Sequence, residues 1–411
     1  MNPPYDKKHI KKQTMNIQPA QRTFSVKEYY FSRKNREIDG LNKERAARGE
    51  DRIINLGIGS PDGMPPVSAI EALAESARQP GSHGYQSYAG LPCLREAFAN
   101  WYARYYGVTL DPACQIQPLT GSKEGILLIT MAFVNPGEKV LIPDPGYPTY
   151  TSSALIAGAE PVKYDLKAEN GWLPDFEALE SMDLEGVKLM WTNYPNMPTG
   201  AKATPELYEK LVDFGRRHNI LVVNDNPYSF ILNDEPLSIL AVEGAMECCL
   251  EMNSLSKAHN MAGWRVGMVA GDAEAITLIL KVKSQMDSGI FKGIQMAAVE
   301  ALNQGPEWFD RLNAEYRARR EAAGRVFDAI GAKYNKDSSG LFLWGYVGDV
   351  VAEEGKTRGE TVSDKYLYNA GVFITPGFIF GRNGQDYVRI SLCAPVPVLE
   401  DAERKVRALG R

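Results

Sequence analysis

The chain reads as an α/β protein. It predicts a large domain whose mostly parallel sheet is covered by helices on both faces, plus a smaller α+β domain formed by the N- and C-terminal segments. Three observations predict this. From Gln117 onward, short apolar runs alternate with stretches of helical character, the signature of strands joined by crossover helices. The run Ile220-Leu221-Val222-Val223 has no polar alternation, which suits a strand buried on both faces of a parallel sheet. Beyond about residue 330 the helical stretches give way to the isolated runs Gly340 to Gly345 and Tyr387 to Leu392, which read as strands of a separate, smaller unit.

Taken in order, residues 1–22 are polar and lysine-rich and read as a mobile arm. Ser25 to Arg48 is charged, with apolar positions at helical spacing and Ser25 as a candidate cap. Ile53 to Asp62 is a short extended segment broken by glycine and proline. Gly121-Ser122-Lys123-Glu124-Gly125 opens a helix that ends near Asn135-Pro136-Gly137. Lys139 to Pro143, Val187 to Thr192, Ile220 to Asp225, Cys248 to Met252 and Val266 to Ala270 read as strands, and Pro205 to His218 as a helix. Ala273 to Asp287, Gln295 to Leu302 and Trp308 to Ile330 read as further helices. The expected division is an arm at 1–22, a small domain from 23–65 and 305–411, and a large cofactor-binding domain at 66–304.

Composition narrows the class. The 411 residues are 44% hydrophobic and 24% charged, ordinary for a globular chain with a large core. A formal net charge of -5 favours neither nucleic acid nor an anionic membrane as partner. Five cysteines, an odd number without metal-ligand spacing, suggest free thiols in a reducing compartment. The four histidines are scattered, so no metal site is expected. The N-terminus lacks the apolar core of a signal peptide, and no run of about 18 apolar residues occurs. The expected location is the cytoplasm.

The chemistry concentrates in two stretches. In Ser254-Leu255-Ser256-Lys257 and Gly263-Trp264-Arg265-Val266-Gly267, a lysine and an arginine lie eight residues apart, with two serines before the lysine and glycines flanking the arginine. A lysine amine can form a Schiff base with a carbonyl cofactor. Serine hydroxyls and a guanidinium suit a phosphate, and the glycines allow close approach of backbone to a bulky ligand. Asp225 ends the strand at Ile220 to Asp225, where ligands of open α/β sheets bind. A carboxylate there can keep a pyridine nitrogen protonated, and Tyr228 can reach a ring phenolate. The combination reads as an anchor for pyridoxal 5'-phosphate.

The motifs then match a family. Leu56-Gly57-Ile58-Gly59, Tyr85 with Gly90, Gly121-Ser122-Lys123-Glu124-Gly125, Asp144-Pro145-Gly146-Tyr147-Pro148, Asp225, Tyr228, Ser254, Ser256, Lys257, Arg265 and Arg389 follow one another in its order. From about Leu56 to Leu392 the chain resembles the fold-type I, class I/II aminotransferases. The resemblance implies that Gly59 lies by the substrate carboxylate, that Tyr85 reaches the cofactor phosphate of a partner subunit, and that Gly121, Ser122 and Lys123 form a phosphate loop. It implies that Tyr147 stacks on the pyridine and that Arg389 binds the substrate α-carboxylate, with Lys257, Asp225 and Tyr228 as the catalytic set. A homodimer and ping-pong transamination between an amino acid and a 2-oxo acid follow. The motifs Gly-Trp-Arg-Val-Gly and Asp287-Ser288-Gly289-Ile290-Phe291 look like the subgroup of LL-diaminopimelate and alanine-type enzymes.

One position departs. The family reads Asn-Pro-Thr-Gly where this chain has Met197-Pro198-Thr199-Gly200, and methionine cannot donate a hydrogen bond to the phenolate. Asn193, Asn196 or Tyr228 is left to do so, with Asn196 also expected at the substrate. Lys283 lies loosely where some relatives place a base for a distal carboxylate. Two other readings stay open on sequence. One is a carbon–sulfur lyase or decarboxylase with the same cofactor set. The other is a ligand-sensing regulator, disfavoured by the short segment before the first cofactor motif.

Overall fold

The computed structural model describes residues 17–410. Its centre is a seven-stranded sheet. In spatial order the strands are Ile116–Leu119, Gly267–Gly271, Cys249–Ser254, Leu221–Asp225, Val187–Thr192, Lys139–Asp144 and Glu160–Asp165. All run parallel except Gly267–Gly271, which is antiparallel to both neighbours. Val222, Val223, Leu250, Met252, Leu189 and Met190 are fully buried, as a sheet covered on both faces requires.

The covering helices are built from local signals. In Pro205–His218, the Thr204 hydroxyl accepts from Leu207 N at 3.1 Å, proline takes the first helical position, and Arg216, Arg217 and His218 fill the last turn. Asn219, at φ 54°, closes it in the left-handed region. The helix Ser122–Phe133 starts differently. Gly121 precedes it with no side chain to cap it, so its first N–H groups point outward unpaired by a cap.

A four-stranded antiparallel sheet, in the order Thr375–Pro376, Tyr387–Ser391, Phe342–Tyr346 and Lys333–Tyr334, forms a second layer. The two ends of the chain meet beside it. Ile54–Asn55 pairs in parallel with Val372–Phe373, Leu56 N donates to Phe373 O at 2.9 Å, and Ser391 N donates to Leu56 O at 2.8 Å. These bonds hold residues 57–59 against the mouth of the main sheet.

Several expectations need adjusting. Most of the arm at 1–22 lies outside the described residues, while Arg22–Ser25 forms one helical turn. Ser25 ends that turn and does not cap the long helix, which is Tyr30–Ala47 and has no side-chain cap. The helix read to Asp287 stops at Lys283. The strands Ile116–Leu119 and Glu160–Asp165 and the helices Val67–Arg78, Pro92–Tyr106, Pro148–Ala157, Arg358–Ala370 and Val396–Leu409 complete the fold. The edge strand was hard to read because Glu160 and Lys163 face solvent and Pro161 interrupts it. No described helix is long and apolar enough to cross a membrane.

Candidate active site

Asp225, Asn193 and Ser254 stand at or just past the carboxyl ends of the parallel strands, on one edge of the sheet. They face a cavity of about 410 Å³ whose opposite wall comes from residues 57–60, Tyr29, Phe31, Phe342, Phe380 and Arg389. That volume is within the range of small-molecule sites.

Asp225 forms the floor and is 5% exposed. Its Oδ2 accepts from the Tyr150 hydroxyl at 2.9 Å, and its Oδ1 has no partner. Burial pushes its carboxyl up to about 7, against the opposing pull of the Tyr150 hydrogen bond and the Lys257 charge. Tyr150 is itself fixed by stacking on Trp191, with centroids 5.0 Å apart and the planes 6° from parallel.

Lys257 sits on the one-turn helix Leu255–Ala258. The Ser254 hydroxyl accepts from Ser256 N at 3.1 Å and lies 2.9 Å from Ser256 Oγ and 3.2 Å from Val266 O, which locks the turn. The Lys257 amine donates to Gly59 O at 2.6 Å. Burial lowers its pKa, and the nearby Arg389 and Arg265 charges push the same way.

An anion cradle adjoins it. A Cβ on Gly121, at φ 80°, would lie 2.1 Å from Arg265 Nη2, so a side chain there would push the guanidinium off this backbone. Arg265 holds the left-handed region at φ 57°, a strain of about 1–2 kcal/mol that its surroundings maintain. Ser122 opens its helix at the same place, with the positive end of the helix toward the cavity.

Arg389 is 4% exposed, on the strand Tyr387–Ser391. Its Nη2 donates to Gly57 O at 3.1 Å, its Nη1 to the Met197 sulfur at 3.4 Å, and its Nε has no partner. The rings of Phe342, Phe380 and Phe31 lie 3.8, 4.6 and 5.5 Å from the guanidinium. Burial lowers its pKa to about 10. A buried guanidinium with weak acceptors and no carboxylate is a ready receptor for one.

These residues fit pyridoxal phosphate. Asp225 Oδ1 is a buried acceptor left open for a cationic N–H, Arg265 with Gly121, Ser122, Ser254 and Ser256 forms the anion cradle, and the Lys257 amine lies between them. Tyr147 offers a ring in the wall, with the Lys123 ammonium over it 6.0 Å from the centroid. Tyr228 is also in the wall, beside Phe342.

Two sequence expectations do not meet there. Asn196 is turned away from the cavity wall: its Nδ2 donates to Asn193 O at 3.2 Å and its Oδ1 accepts from Thr199 N and Oγ1 at 3.3 and 2.7 Å. It holds the turn and does not line the substrate space. Asn193 does line it, yet its Nδ2 donates to Asp225 O at 2.5 Å and its Oδ1 accepts from Met197 N at 2.8 Å. Lys283 is fully buried and ion-paired with Glu124 and Asp287, so it is no receptor for a distal carboxylate. Tyr85 is 92% exposed and outside this chain's cavity wall. Sequence reasoning missed Tyr150, Tyr29, Phe31, Phe342 and Phe380. The run Tyr29-Tyr30-Phe31, aromatic in a charged segment, was the one available signal.

The chain belongs to the family described as aminotransferase class I and II, which it matches over residues 51–403. It is therefore a pyridoxal-phosphate-dependent transaminase. It is similar to the LL-diaminopimelate aminotransferase of Desulforudis audaxviator (strain MP104C), at 40% identity over 400 residues, 97% of this chain and 99% of that one. It is also similar to the enzyme of the same name from Aquifex aeolicus (strain VF5), at 39% over 91% of this chain and 95% of that one. Among solved structures, substrate-bound BacF from Bacillus subtilis superposes with a TM-score of 0.87 at 34% identity, covering 96% of this chain and 98% of that one.

Proposed function

We propose that Lys257 anchors the cofactor, that Arg389 binds the substrate α-carboxylate, and that the amino donor is a diaminopimelate-type amino acid. The observation that carries the site assignment is the convergence of Lys257, Asp225, Arg265 and Arg389, from four separate stretches, on one cavity. The donor rests on the shared name of the relatives at 39–40% identity over most of both chains.

When bound, pyridoxal phosphate would supply an aldehyde that takes up an amine and a ring that withdraws electrons. The protein does the rest. Arg389 orients the substrate by a two-point grip on its carboxylate. Lys257, whose lowered pKa favours the neutral amine, moves the proton at the substrate Cα. With the cofactor bound, Asp225 would hold a proton on its ring nitrogen, the cation that its open Oδ1 is placed to accept from, and Tyr228, in the same wall, would donate to its phenolate oxygen. Tyr29 and Phe31 roof the cavity and limit water at the proton-transfer site.

We further propose an assembly, a location and a division of the chain. The enzyme is a homodimer in which the exposed Tyr85 reaches the partner's phosphate cradle, and it works in the cytoplasm, in keeping with five free cysteines. The large unit is 66–304 and the small unit 23–65 with 305–411. The central sheet lies within the first span and the four-stranded sheet within the second. The test is a panel of amino donors against 2-oxoglutarate, read by glutamate formation. LL-diaminopimelate should give the highest kcat/KM. Turnover of alanine or an aromatic amino acid with none of diaminopimelate would overturn the donor assignment. Sedimentation of an active monomer would overturn the shared site.

A further inference from the structure

Lys283 is the unexplained charge of this fold. It ends the helix Ala273–Lys283, and none of its side chain is exposed. Removing a charge from water costs several kcal/mol unless partners compensate, so its partners are informative. Its ammonium donates to both oxygens of Glu124, at 3.2 and 3.4 Å, and to Asp287 Oδ2.

Each carboxylate in turn arranges backbone. Glu124 Oε2 accepts from Thr120 N at 2.6 Å. Thr120 is the residue before Gly121 and Ser122, so this bond sets the turn against which Arg265 lies. Asp287 Oδ1 accepts from Gly289 N at 3.2 Å. Gly289 has φ 87°, and a Cβ there would lie 2.5 Å from Gln86 O. Its turn therefore backs the strand of loop next to Tyr85.

We propose that Lys283 is a positioning residue for the phosphate end of the cofactor site: through Glu124 it fixes the Thr120–Gly121–Ser122 turn, and through Asp287 the segment beside Tyr85. This rests on the reading of Arg265 and Ser122 as the phosphate cradle. Lys283 does not line the cavity. It acts through Glu124, whose carboxylate it holds bent back onto Thr120 N.

The test compares two ligands on cofactor-free protein: pyridoxal 5'-phosphate and pyridoxal, which lacks the phosphate. Dissociation constants come from equilibrium dialysis. Lys283→Met should weaken pyridoxal phosphate by about tenfold or more and leave pyridoxal within about twofold, as expected for loss of a group that orients direct contacts. Lys283→Arg should recover part of the loss. Equal weakening of both ligands would show a merely structural role and overturn the proposal. If Lys283→Met does not fold, Glu124→Ala, which removes the acceptor of Thr120 N, decides, with the same phosphate-selective loss expected and an equal or absent loss overturning it. Arg265→Ala separates the two levels. A phosphate-selective loss there with none in the Lys283 variant sinks the positioning role alone, and no selective loss in either sinks the cradle itself.

Discussion

Asp225 and Glu251 are two carboxylates on neighbouring parallel strands, one residue apart in register, and both are buried. Their surroundings are opposite. Glu251 accepts from Tyr102 OH at 3.0 Å, Ser238 Oγ at 2.7 Å, Asn224 Nδ2 at 3.0 Å and Ile239 N at 3.1 Å. Asp225 has a single side-chain donor and one empty oxygen. Burial raises the pKa of both. The saturated carboxylate ties strands and loops together beneath the sheet. The unsaturated one is held in readiness at the rim. At this cavity the incomplete groups, Asp225 Oδ1 and Arg389 Nε, are the ones left open for a ligand.

The contrast can be broken by substitution. The largest effect belongs to the rim. Lys257→Ala should cut turnover by about 10⁴-fold while retaining cofactor through Arg265, Ser254 and Asp225; rapid kinetics with added donor, and near-normal turnover as the refuting result, decide it. Asp225→Asn comes next, with turnover down by about 10²-fold or more and cofactor content far less affected. A twofold change would make Asp225 a scaffold residue like its neighbour.

Glu251→Ala reverses the pattern. It strands four donors at once, so urea denaturation should show a loss of about 3–5 kcal/mol. The folded fraction should keep kcat within about twofold. A large kcat loss without destabilisation would erase the distinction between the two carboxylates.

The pH dependence sharpens it. Asp225 has its folded pKa raised to about 7 in the cofactor-free protein, so burial favours the neutral form. Its contribution is fully present below the unfolded value of about 3.9 and is lost as pH rises through 7, at most about 4 kcal/mol. Cofactor-free wild type should lose stability from pH 4 to 7 relative to Asp225→Asn. Parallel curves for the two would show that Asp225 titrates normally.

The smallest effect is at Met197. Its sulfur is a weak acceptor for Arg389, and the amide donors of Asn193 and Asn196 are already engaged. Met197→Asn adds a donor to the wall and a stronger acceptor for Arg389. The visible band of the loaded enzyme should titrate at lower pH, and the donor KM should rise a few-fold, as competition for the guanidinium predicts. An unchanged titration would mean that Asn193 already makes that bond with its second hydrogen.

What the sequence made legible follows the same contrast. Lysine, arginine and aspartate at strand ends, with glycines around them, are rare combinations dictated by chemistry, and they lie close together within short motifs. Asp225, Lys257 and Arg265 could therefore be named and are found at one cavity. Tyr150 and Phe342 could not. Their roles come from tertiary contact alone, and an aromatic residue on a helix or strand looks the same whether it braces a carboxylate or fills a core. Lys283 is a different case. A lone basic residue carries no signal of its role in sequence, and only its burial between Glu124 and Asp287 reveals what it touches. Helix limits such as Pro205–His218 were readable because cap, proline and left-handed asparagine all sit in the local sequence.

The pairing of Ile54–Asn55 with Val372–Phe373 also governs when this protein comes into being. A ribosome emits the first of these strands long before the second. Until residue 373 has emerged, the segment at 57–59 has nothing to lie on, and Lys257 lacks its carbonyl partner. The central sheet can form during synthesis from contacts within its own span, as domains generally do. The cavity cannot. Closing so long a loop makes the last stitch slow compared with the local ones, and a chain truncated before Val372 would carry its cofactor lysine on a folded sheet with one wall missing.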